Sequence, residues 1–209
     1  MKSLLAPIFM MTMTCAPKEN MLVLESKSRI LERPQPAKPS PELTLSPGDK
    51  IDEFNGVNIF YNGGMNNVSG RNLAKDGYNL GLKYQCVEFV KRYYYYALSH
   101  KMPNSWGHAK DFFNPALGDG KLNSERGLIQ FKNGSMFKPR VNDILVFNKT
   151  SWNPFGHVAI VSKASDESIE IVQQNVGGKD DTREILDLSL SGGKWKVNSD
   201  SVRGWLRKE

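Results

Sequence analysis

The sequence predicts an α+β domain with helix near its start and antiparallel sheet in its second half. Residues 86 to about 100 repeat apolar side chains at helical spacing, at Val87, Val90, Tyr94, Ala97 and Leu98. After Pro139 the chain turns to short β-branched runs, and the connections between them are short. Helix first and sheet later is the order of an α+β fold. The 209 residues, 39% of them hydrophobic, suffice for one domain of ordinary size with terminal extras.

Met1-Lys2-Ser3 is a short positive start, followed by an apolar run from Leu4 to Met13 that ends at Thr14-Cys15-Ala16. The run is too short to cross a bilayer and fits the apolar core of a secretory leader, so residues 1–15 are expected to direct export to the periplasm or cell envelope. Thr12-Met13-Thr14-Cys15 also resembles a bacterial lipoprotein cleavage box, in which Cys15 would become the lipidated first residue and a membrane anchor. Leucine is usual where Thr12 stands and a small residue where Thr14 stands, so cleavage without lipidation stays open. Residues 16–47 are rich in Pro, Lys, Glu and Ser and read as an extended tether to a domain at 48–209.

Of the net charge of +6, residues 1–45 carry +2 and the rest +4. With no basic stripe or Arg-rich helix, nothing points to nucleic acid. The chain has two cysteines, Cys15 and Cys86. If the leader is removed or Cys15 lipidated, an exported chain retains one thiol without a partner, which suggests chemistry at Cys86. A Cys15–Cys86 disulfide would require the leader to survive.

Within the domain, residues 57–61 read as a short strand and 77–81 as a turn-rich approach to the helix. Cys86 falls in the helix's first turn. Unpaired N–H groups and the positive end of the macrodipole favour an anion there, so its thiol is expected to ionise more readily than a free one. The plainer alternative is a small buried core residue. Tyr93 to Tyr96 must wrap the helix, with some rings buried and others exposed. A second helix is expected over Gly107 to Phe113, before Asn114-Pro115. Residues 118–137 read as loop with a short strand at 128–131. Further strands are expected at 141–147, 157–161, 168–173 and 202–206.

A thiolate nucleophile needs a base and a group that orients the base. His100 lies about four turns from Cys86 on the same helix and is carried some 20 Å away. His108 stays open by distance. His157 begins a strand directly after Gly156, which permits close approach of another element. Strand alternation puts Gln173 and Asn175 on one side, where either amide oxygen could accept from the imidazole. The order nucleophile, base, orienter matches papain-type Cys–His–Asn hydrolases. The histidines are dispersed and no Cys or His cluster has ligand spacing, so no metal or other cofactor is expected.

Four ordered motifs carry a more specific resemblance: Tyr84-Gln85-Cys86-Val87-Glu88-Phe89, Asn142-Asp143-Ile144-Leu145-Val146-Phe147, Gly156-His157-Val158-Ala159-Ile160-Val161 and Val172-Gln173-Gln174-Asn175. Together they resemble the CHAP family of cysteine- and histidine-dependent amidohydrolases/peptidases. The wording around Cys86, with Gly56-Val57-Asn58-Ile59-Phe60-Tyr61-Asn62, is most like its glutathionylspermidine amidase branch. The resemblance implies a papain-like domain with helices packed on an antiparallel sheet. Cys86 would be nucleophile, His157 general base, and Gln173 or Asn175 the third member. Gln85 would stand beside the oxyanion. Two residues depart from the pattern: Asn142 stands where glycine is usual, and Gln173 where that branch carries a glutamate. Glutamine can orient an imidazole but brings no charge to stabilise its protonated form.

Three functions follow. The preferred one is an exported hydrolase that cleaves an amide of peptidoglycan through an acyl-enzyme. The others are an amidase on glutathionylspermidine or a similar small amide, and a wall-binding module whose hydrolase site has decayed.

Overall fold

In the structure, a computed structural model describing residues 44–176 and 181–209, two hairpins precede the helix. The expected leader, Cys15 and most of the expected tether lie outside the described residues. Strands β1 (Lys50–Phe54) and β2 (Val57–Phe60) turn at Asn55-Gly56, whose φ values of 48° and 77° suit a tight hairpin turn. Strands β3 (Arg71–Leu73) and β4 (Asn79–Leu82) form the second hairpin. The helix α1 spans Cys86–Leu98. Gly81 of β4, at φ 131°, lets the hairpin lie against it, because a Cβ there would fall 3.0 Å from the Glu88 Cα.

After α1 comes one turn of 3-10 helix, Ala109–Phe112. The expected second α-helix is thus reduced to a single turn, and the helices expected on the sheet become one. A stretch closed off by Gly107 and Asn114-Pro115 is too short to repay nucleation. Its first turn is held locally instead, the His108 N–H donating to Asp111 Oδ2 at 2.8 Å.

The remaining strands are β5 (Lys121–Asn123), β6 (Leu128–Lys132), β7 (Ile144–Phe147), β8 (His157–Ala164), β9 (Ser168–Val172), β10 (Arg183–Ser191), β11 (Lys194–Val197) and β12 (Val202–Arg207). They make one eight-stranded sheet in the order β11-β10-β9-β8-β7-β12-β6-β5, antiparallel throughout. Strands β7 to β10 run as a meander. Expected strands at 128–131, 141–147, 157–161, 168–173 and 202–206 each fall on a strand, the second starting three residues late because Asn142 is in the left-handed region at φ 78°. Strand β10 was not expected. Its side chains are mostly exposed on both faces, so it shows no clean alternation.

The sheet is apolar on both faces, which is why β7 to β9 read as continuous hydrophobic runs. Ile144, Val146, Val158, Ile160 and Val172 form one cluster with Phe89, Val90, Tyr93 and Tyr94 of α1. Leu145, Ala159, Val161, Ile169 and Ile171 form the other with Trp205, Phe131 and Val197. This second face is closed by the sheet itself, since a bridge between Ser135 and Trp195 brings the β11 edge back to the chain leaving β6. Tyr93 and Tyr94 are buried, Tyr95 half-buried and Tyr96 exposed, whereas Ala97, expected on the buried face, is exposed.

Candidate active site

The α1 N-terminus starts without a side-chain cap, since Gln85 is extended and makes no capping bond. Its first-turn donors therefore face whatever follows. The Cys86 thiol, nearly buried, has the backbone N–H groups of Val158, Val87 and Cys86 directed at it. Two come from the helix start and one from β8, immediately after His157. The expected preference for an anion is present, but burial outweighs it and pushes the thiol up to about 11. The expectation of a readily ionised thiol is corrected on that ground.

His157 opens β8, opposite Phe147 of β7. Gly156 before it has φ 75°, and a Cβ there would sit 2.9 Å from the Phe147 carbonyl and 3.1 Å from Lys110 Cβ. The 3-10 turn does approach closely here. His157 Nε2 lies 3.0 Å from Gln173 Oε1. The Gln173 Nε2 group donates to the Asp181 carbonyl at 3.1 Å and toward Glu184 Oε2 at 3.4 Å. Both of those groups only accept, so the amide nitrogen must face them and the oxygen must face the ring. The imidazole then carries its proton on Nε2 and keeps a lone pair on Nδ1. Burial lowers His157 to about 4, and the Gln173 bond offsets only part of this.

Cys86 and His157 share one cleft of about 580 Å³, rimmed by Met65, Trp106, Trp152 and Phe155. Burial thus biases each member of the pair toward its neutral form.

Gln173 and Asn175, expected on one side, part company. Gln173 meets His157, while Asn175 donates to Gln85 Oε1 at 2.8 Å and to the Met65 carbonyl at 2.9 Å. Its own Oδ1 accepts from Asn62 at 3.1 Å. The alternation fails because β9 ends at Val172 and Asn175 turns at φ 65°. Gln85 Nε2 in turn donates to the Asn67 carbonyl at 2.7 Å and the Met65 carbonyl at 3.2 Å. Its side-chain donors are thus spent on the 65–67 loop, which leaves backbone N–H groups to face the cleft. His108 lines the cleft and packs tilted against Phe155 with ring centroids 4.6 Å apart, whereas His100 bonds the Arg126 carbonyl at 2.8 Å.

Several residues of the site were not singled out from the sequence. Glu88, fully buried, accepts from Arg92 at 2.6 Å, Asn72 at 2.7 Å and Gln174 at 3.0 Å. Gln174 also donates to the Gln85 carbonyl at 3.1 Å, tying the end of β9 to the start of α1. The i,i+4 pair Glu88–Arg92 was a legible signal. Lys91 lines the cleft, and burial lowers it to about 8 while its Nζ donates to the Ser105 carbonyl at 2.6 Å.

Comparison with known proteins bears on this geometry. Trypanothione synthetase of Crithidia fasciculata is 27% identical over 107 residues, 51% of this chain and 16% of that protein. Endolysin PlyTW of Staphylococcus phage Twort is 27% identical over 99 residues, 46% of this chain and 20% of that protein. The bifunctional glutathionylspermidine synthetase/amidase of Escherichia coli K12 is 27% identical over 151 residues, 65% of this chain and 23% of that protein. The chain spans less than a quarter of the length of each. Residues 76–175, from the approach to α1 through Cys86, His157 and Gln173 to Asn175, match the model of the CHAP domain.

Proposed function

We propose that the chain is a cysteine amidohydrolase that cleaves an amide bond of peptidoglycan. The observation that carries this is the shared cleft, in which the Cys86 thiol faces the Val158 N–H and the neighbouring His157 is held by Gln173 in one tautomer. The CHAP match, an endolysin and an amidase among the relatives support a hydrolase of this kind. The two clusters on either face of the sheet agree with the papain-like arrangement that the motifs imply.

In the reaction, Cys86 Sγ attacks the amide carbonyl carbon while its proton passes to His157 Nδ1. The oxyanion is received by backbone N–H groups at the start of α1, because the Gln85 side chain is engaged elsewhere. His157 returns the proton to the departing amine and a thioester remains. Water, giving a proton to the same nitrogen, attacks the thioester and releases the acid and the thiol. Gln173 holds the ring throughout.

Residues 1–15 fit export and residues 16–47 a tether, with Cys15 a candidate lipid anchor; an extracytoplasmic location would bring the site to the wall. The domain then begins near residue 48. A second reading, hydrolysis of a glutathionylspermidine-like small amide, is favoured by the relative named for that amidase activity. Incubating the purified protein with wall sacculi and, separately, with the conjugate, and identifying the released amines and peptides by mass spectrometry, separates the two. New amino termini from sacculi are expected. Release from the conjugate alone would sink the wall assignment.

A further inference from the structure

We propose that Glu184 is a positioning residue of this site, its carboxylate acting through the Gln173 amide on His157. The inference rests on the reading of Cys86 and His157 as nucleophile and base. The residue set against the imidazole is Gln173, buried at 4% exposure. An amide alone has two possible orientations, and one of them would turn N–H groups toward the ring and destroy the contact. The strand β10 excludes it. Gln173 N–H donates to the Thr182 carbonyl at 2.9 Å, which docks the end of β9 beside the start of β10. The Asp181 carbonyl and the Glu184 carboxylate then stand on the nitrogen side of the amide.

The two acceptors are not equivalent. A carboxylate that accepts one amide N–H draws its proton and leaves more negative charge on the oxygen at the other end, which faces His157 Nε2. Glu184 thereby gives the ring, at one remove, some of the negative charge that the neutral Gln173 amide does not carry. Its neighbour Arg183 does not cancel this, because the Arg183 guanidinium is directed to Asp52 at 2.8 Å and Glu170 at 3.0 Å. Successive residues of β10 point to opposite faces. A second cavity of about 420 Å³, lined by His157, Gln173, Asp181, Arg183 and Glu184 among others, gives Glu184 access to water. The influence is therefore screened and small, as befits an exposed carboxylate.

The test is a cycle in the full chain, with release of amines from purified sacculi as rate and the imidazole titration of His157 by NMR as a readout independent of turnover. Glu184→Gln is expected to lower the saturated rate about threefold at unchanged half-saturation, and to lower the His157 titration midpoint. Gln173→Glu alone sets a second carboxylate against Glu184, so the two share a proton and little is gained. In that background Glu184→Gln is expected to raise both the rate and the midpoint. This reversal of sign is the signature. Equal losses in both backgrounds, or an unmoved midpoint, would overturn the proposal in favour of a purely structural role. Cys86→Ala keeps the two ideas apart: turnover retained there defeats the cysteine mechanism, while the His157 titration still decides Glu184.

Discussion

Behind Cys86 stands a buried charged network, Glu88 with Arg92, Asn72 and Gln174, whereas behind His157 stands a single amide with an exposed carboxylate beyond it. Charge is used on the Cys86 side to hold backbone. Gln174 links the Glu88 carboxylate to the carbonyl of Gln85, and so fixes where α1 begins and where the thiol points. On the His157 side the nearest partner is a neutral amide, and the charge lies one residue further out. The contrast describes a site that is rigid in geometry and mild in activation. Burial biases both the thiol and the imidazole toward their neutral forms.

The two sides should fail differently. Cys86→Ala is expected to abolish amide release, and His157→Ala to lower it by about 100- to 10,000-fold, with neither altering the denaturation midpoint by much. Glu88→Ala should do the reverse first. It leaves Arg92 buried without its carboxylate, and a loss of about 3–5 kcal/mol in urea unfolding is expected, activity falling as α1 loosens. The smallest effect is expected at Asn142. Its φ of 78° is one glycine adopts freely, yet its Oδ1 accepts from the Tyr93 hydroxyl at 2.6 Å. In Asn142→Gly the gain and the loss oppose each other, and the stability should stay within about 1 kcal/mol of the parent.

What could be read from the sequence follows the strength of local signals. Helix α1 and strands β7 to β9 and β12 have apolar patterns long enough to dominate their surroundings, and they were legible. Residues 107–113 had the composition of a helix but not its length. Strand β10 carries Arg183, Glu184 and Asp187 among exposed apolar residues, and its existence depends on pairing with β9 and β11, which no local pattern reports. At the site, Cys86, His157 and Gln173 were placed by spacing and motif. The division of labour between Gln173 and Asn175 was not, because it depends on one left-handed residue after the end of β9. Glu184 was hidden for the same reason as its strand. The ionisation of Cys86 was misjudged because a helix N-terminus is visible in sequence and desolvation is not.

The central claim is that the resting pair is neutral, and the pH dependence of Cys86 alkylation tests it most directly. With the folded protein, iodoacetamide and detection by mass spectrometry, burial slows the reaction at every pH but leaves the profile to report the thiolate. The account predicts a rate that keeps rising through the alkaline range toward a midpoint of about 11, with no thiolate plateau in acid. A plateau already established below pH 6 would contradict it, and would mean that a thiolate–imidazolium pair exists before substrate arrives.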